Sequence, residues 1–151
     1  MTASPDIEIQ HACDISEVPS DKDIQLWVNH VLEFQKRSGS VVIRLVDADE
    51  SQSLNHQYRH KDYATNVLSF PFETPEFIEQ DHLGDLVICV PVVRQEAVEQ
   101  GKPASAHWAH MVIHGMLHLL GYDHEAEAEA DQMESIEIKL LAGLGIRNPY
   151  E

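Results

Sequence analysis

The sequence predicts a single domain, α/β or α+β, with one small sheet of about four strands covered by about five helices. Three observations carry this expectation. Short runs rich in Val, Ile and Leu recur between turn residues, as strands do. Longer segments repeat their apolar residues at helical spacing. The two kinds interleave along 151 residues, the length of one ordinary domain with a real core. Such an order suits α/β as well as α+β connections, and periodicity alone leaves the strand order open.

Ile7-Glu8-Ile9 alternates apolar and polar residues and reads as a short first strand. Asp21 or Asp23 then caps a helix to about Lys36, with Ile24, Trp27, Val28, Val31 and Leu32 as its apolar stripe. Ser38-Gly39-Ser40 is a turn into the second strand, Val41–Val46. Asp47 or Asp49 starts a helix to about His60. Asn66–Phe70 is a third strand, stopped by Pro71. Phe72 to His82, with Pro75 and four acids, reads as a mobile loop. Gly84–Val90 is a strongly apolar fourth strand, and Pro91 suits the first turn of the helix that follows. Pro103 precedes the long helix. Asp123 or His124 begins the turn into a final helix, roughly 126–142, with Met133, Ile136, Leu140 and Leu141 facing inward. No repeat, low-complexity tract or linker divides the chain, so residues 1–151 read as one domain.

The most informative stretch is His114-Gly-Met-Leu-His118-Leu-Leu-Gly121-Tyr-Asp-His124. On a helix His114 and His118 sit one above the other and can grip a single ion. Gly121 accepts the left-handed conformation common just past a helix end, so the chain can turn back and bring His124 in as a third ligand. Three imidazoles leave a tetrahedral ion one open position, the pattern of catalytic rather than structural zinc. Long-type zincin proteases share this spacing but carry a general-base glutamate after the first histidine. Gly115 stands there instead, so the metal grip comes without the protease base. Three neutral imidazoles also leave a divalent ion its full charge, which suits an anionic phosphodiester.

Other residues have two readings each. Arg59 and Lys61, in Tyr58-Arg59-His60-Lys61-Asp62, can bind phosphate or can simply be a solvated helix end favoured by the dipole. His107 and His110 share the stripe of His114 and His118; they are supporting groups, substrate contacts, or polar positions at the edge of a buried helix. Asp85 is a turn residue or a carboxylate facing the metal. Asp123 can fix the tautomer of a ligand histidine. Glu125, Glu127, Glu129 and Asp131 read as a solvated first turn. Cys13 and Cys89 match no ligand or redox spacing, and Cys89 reads as a small core residue.

The net charge of −16 disfavours a broad basic surface for polyanions, so phosphate contacts must be local. No apolar run reaches the roughly 18 residues of a membrane span. The N-terminus lacks the basic and apolar regions of a secretory signal, and the expected location is the cytoplasm.

The histidine motif occurs together with Leu54-Asn-x-x-Tyr58-Arg59-x-Lys61-Asp62-x-x-Thr65-Asn66-Val-Leu-Ser-Phe-Pro71 and Leu83-Gly-Asp-Leu-Val-Ile88. In this combination, over about residues 5–145, the chain resembles the YbeY family of bacterial metal-dependent endoribonucleases of ribosomal RNA maturation. Asn66 stands where many members have aspartate. The resemblance implies an α+β fold with a four-stranded sheet. It implies a single-strand-preferring endoribonuclease acting on the 3′ end of small-subunit ribosomal RNA and in ribosome quality control. One zinc or similar divalent ion is expected on His114, His118 and His124. His114 and Arg59 are then the candidate catalytic residues, and Arg59 and Lys61 the candidate substrate-binding residues. Small-subunit ribosomal proteins and an assembly GTPase are the implied partners. Two rival readings are a metallohydrolase of peptide or amide bonds and a non-catalytic, metal-containing assembly factor.

Overall fold

The computed structural model describes residues 7–13, 18–72, 82–122 and 127–150. Strand β1 (Ile7–Ala12) leads through helix α1 (Asp21–Gln35) to β2 (Ser40–Val46). Helix α2 (Ala48–Arg59) then leads to β3 (Val67–Pro71) and β4 (His82–Cys89). Helices α3 (Val90–Glu99), α4 (Ala104–Leu119) and α5 (Glu127–Gly143) follow. The strands form one sheet in the order β1-β2-β4-β3. Both β1 and β4 run parallel to β2, whereas β3 is antiparallel to β4. The expected single α+β domain with a four-stranded mixed sheet is the fold observed.

Several element ends differ from the sequence reading, each for a local reason. The cap of α1 is Ser20, whose hydroxyl accepts the Asp23 N–H at 3.1 Å. Asp21 and Asp23 instead fill the first turn, where negative charge meets the positive end of the helix dipole. Asp47 does cap α2, accepting from the Glu50 N–H at 3.1 Å. Strand β3 does stop at Pro71, which is its last residue rather than the first beyond it, paired with Gly84 on an edge strand where a missing N–H costs no ladder bond. Ser40 and His82 belong to strands, and Val90 belongs to α3 rather than to β4. Most of the expected loop, residues 73–81, and the turn expected at Asp123 or His124 lie outside the described residues.

Helix α4 is the centre of the molecule. It packs on β3 and β4 and touches α1, α3 and α5. A helix enclosed on nearly every side must be apolar nearly all round, and Trp108, Ile113, Met116 and Leu117 are all almost fully buried. Each such side chain contributes about 1.5–3 kcal/mol of burial. Val41, Ile43, Leu45, Leu86 and Ile88 supply the sheet's side of this core. A smaller cluster of Val46, Leu68, Val87 and Cys89 forms a second core, with Leu54 of α2 packed against it. The thiols of Cys13 and Cys89 are unpaired. Among the described residues no helix is long and apolar enough to cross a membrane.

Candidate metal centre and cleft

The end of α4 builds the site. Leu120 is its last half-helical residue, and Gly121 follows at φ +101. The Gly121 N–H donates to His118 O at 3.1 Å and the Tyr122 N–H to Leu117 O at 3.0 Å, the paired bonds of a Schellman turn. This turn folds the chain back so that Tyr122 O lies 3.0 Å from His118 Nδ1. One turn earlier, His114 Nδ1 lies 2.6 Å from Glu137 Oε1 on α5. A carbonyl and a carboxylate oxygen only accept, so each ring carries its proton on Nδ1 and turns an Nε2 lone pair outward. The two Nε2 atoms stand 3.2 Å apart. Ligand nitrogens about 2.05 Å from a tetrahedral zinc are separated by roughly 3.3 Å, so the donor pair fits such an ion. Ligand histidines tied through their other nitrogen to a carboxylate or carbonyl are the usual supporting arrangement. His124 and Asp123 lie outside the described residues.

Glu137 has no exposed surface, and both its oxygens are engaged. Oε1 accepts from His114, while Oε2 accepts from His110 Nε2 at 3.0 Å and from the Tyr150 hydroxyl. Burial pushes its pKa up, but the hydrogen bonds from His110, His114 and Tyr150 outweigh it and hold the group at about 2. His110, His114 and Glu137 offer three ligand atoms within 4.8 Å of one another, a group that could hold a metal ion. Sequence reasoning passed over Glu137. Its signal was an acid on the inward stripe of α5, four residues after Met133 and three before Leu140, where a lone carboxylate would be too costly to bury. His107 and His110 are not edge positions: they are 2% and 7% exposed. His107 Nε2 lies 2.9 Å from Glu96 Oε1.

A cleft of about 660 Å³ opens beside the paired imidazoles, lined by Arg59, Lys61, Tyr63, Asn66, His114 and His118 among others. The structure thus gathers Arg59 and Lys61 with two of the expected ligands, although they are far apart in sequence. Arg59 Nη2 donates to Ser69 O at 2.8 Å, and the guanidinium lies 5.9 Å from the Phe70 ring centre. The loop between α2 and β3 is pinned by buried α2 side chains. Ser51 Oγ donates to Thr65 O at 3.0 Å, and Asn55 Nδ2 donates to Tyr63 O at 2.9 Å. Asn66 Nδ2 lies 3.2 Å from each Glu96 oxygen, where an aspartate would set two carboxylates face to face. Asp85 does not line the cleft; it is exposed and bonded to His82 Nε2 at 3.0 Å. Glu127, Glu129 and Asp131 are exposed in the first turns of α5, as expected.

A solution structure of TM1509 from Thermotoga maritima superposes with a TM-score of 0.60 over 91% of each chain, at 26% sequence identity. The family model described as Endoribonuclease YbeY matches residues 7–145, which takes in both the histidine pair of α4 and the cleft residues of the α2–β3 loop. With nearly its whole length matched, the chain belongs to the YbeY endoribonuclease family.

Proposed function

We propose that this protein is a metal-dependent endoribonuclease that cuts single-stranded RNA. Its setting is 3′-end maturation of small-subunit ribosomal RNA and ribosome quality control in the cytoplasm, beside small-subunit proteins and an assembly GTPase. Its cofactor is one zinc, or another divalent ion, on His114, His118 and His124. The observation that carries this reading is the convergence of two oriented Nε2 atoms, 3.2 Å apart, on a cleft that also holds Arg59. The His110–His114–Glu137 group suits an ion less well. Its carboxylate is sealed from solvent and already takes three hydrogen bonds, so it serves better as the anchor of His114 than as a ligand.

A divalent ion bound there supplies Lewis acidity toward a phosphate oxygen or an attacking water. His114 and His118 would hold it where their rings line the cleft. Arg59 spends one of its donors on Ser69 O, which fixes the guanidinium and leaves the others to meet phosphate and the negative charge that develops on it. Lys61 adds a second cation to the cleft lining. Tyr63, which also lines the cleft and is 53% exposed, offers a ring on which any base can stack.

The test is cleavage of a labelled single-stranded RNA by zinc-loaded protein, a chelated sample, His114→Ala and Arg59→Glu, with circular dichroism to verify folding. Full cleavage is expected only in the first sample, with none in the chelated and His114→Ala samples and Arg59→Glu at least about 100-fold slower. Equal cleavage by all four would mean a contaminating nuclease and would bring forward the non-catalytic assembly factor. A 2′,3′-cyclic phosphate on the product would assign the attack to the RNA 2′-hydroxyl rather than to water.

A further inference from the structure

Residues 144–150, which follow α5, lie outside the sheet, yet they bring Tyr150 to the carboxylate that holds His114. Gly145 takes φ +77, and the Ile146 N–H donates back to Leu141 O at 2.9 Å, turning the tail across the helix end. Lys102 Nζ then donates to Pro149 O at 3.3 Å, and the Tyr150 N–H donates to Asn148 Oδ1 at 2.8 Å. These anchors deliver the Tyr150 hydroxyl to Glu137 Oε2, 3.3 Å from His110 Nε2, with the ring edge-on to that of His110 at 5.5 Å.

We propose that Tyr150 is a positioning residue for the metal ligand His114, acting through Glu137. The inference rests on the placement of the ion at His114 and His118. A carboxylate turns easily about its terminal torsion, which has no sharp rotamer wells. Donors on both oxygens, from different elements, fix its plane. His110 and His114 come from α4 alone, so among the described residues the tail supplies the bond that ties the plane to a second part of the molecule. The plane sets the direction in which Oε1 receives the His114 Nδ1–H, and therefore the tilt at which Nε2 faces the ion. Tyr150 is 46% exposed, so its ring is a modest core anchor. The specific feature is where its hydroxyl points.

The experiment measures Zn²⁺ affinity by competition with a chromophoric chelator, alongside the melting temperature of the metal-free protein. Tyr150→Phe removes only the hydroxyl and is expected to weaken zinc binding about tenfold, with little change in metal-free melting. Glu137→Gln is expected to lose about 100-fold, the upper end for such supporting partners. In the Glu137→Gln background, adding Tyr150→Phe should cost nothing further, because both act through one carboxylate. Unchanged affinity in a folded Tyr150→Phe protein overturns the inference, as does a lowered melting temperature alone, which leaves the tail a mere latch. Additive losses in the double variant also overturn it. If the wild type itself binds no zinc, the ion placement has failed; if it binds tightly and Tyr150→Phe binds equally, only the role of Tyr150 has.

Discussion

Gly115 shows how one residue separates this site from a protease. A Cβ there would lie 2.9 Å from Leu86 Cδ2 and 3.2 Å from Val67 Cγ2, so the position faces the sheet. A glutamate would thrust a carboxylate into the core between β3 and β4. Gly115→Glu is expected to destabilise the fold by more than about 3 kcal/mol and to gain no peptidase activity. A urea titration checks this, and a variant of normal stability would refute the close packing. His107 makes a second case, in pH. Burial pushes its pKa below the ordinary value of 6.5, against the pull of Glu96, while His110 and Lys102 add to the depression. The unfolded chain therefore takes up the proton first. This contribution to stability is complete above about pH 6.5 and declines as the pH falls below it. Melting temperature plotted from pH 7.5 to 5 should fall less steeply for His107→Gln than for the wild type.

At the scale of elements, the two ends of α4 and α5 divide what sequence can and cannot reveal. The helix, its glycine stop and the facing of His114 with His118 follow from spacings of four and seven residues, which local geometry fixes. Gly121 takes φ +101, and a Cβ added to it would meet nothing within 4 Å, so replacing it tests the backbone alone. Gly121→Ala is expected to cost about 1–2 kcal/mol. It should also weaken zinc binding, because the turn it strains sets Tyr122 O against His118 Nδ1. A variant that melts lower yet binds zinc unchanged would separate the turn from the site. The partner of His114 was not legible, since Glu137 comes from another helix and is recognisable only as an acid on an apolar stripe. Tyr150 gave no signal at all, because nothing in a tail's sequence says where it docks. The β1-β2-β4-β3 order was equally hidden. Strand pairing is decided by contacts distant in sequence, which periodicity does not encode.

The whole molecule poses an electrostatic question: a chain of net charge −16 has to hold a polyanion. On the proposed reading the cleft answers it locally, with Arg59 and Lys61 among the residues that line it beside the imidazole pair. Arg44 belongs elsewhere, paired with Glu50 at 2.6 Å. Few phosphates can then be neutralised, and few counterions released. Each contact to single-stranded RNA changes the slope of log affinity against log salt by about −0.7, so two contacts give about −1.4. Salt also screens the repulsion between RNA and the acidic body, which flattens the slope further. Fluorescence anisotropy of a labelled RNA with the His114→Ala protein, from about 50 to 200 mM salt, should therefore give a shallow line, and Lys61→Ala should make it shallower by about 0.7. A slope steeper than about −4 would require a broad basic face and would contradict the cleft as the main contact region. A shallow slope with weak affinity is what an enzyme needs if a ribosomal particle, rather than charge, brings its substrate to the cleft.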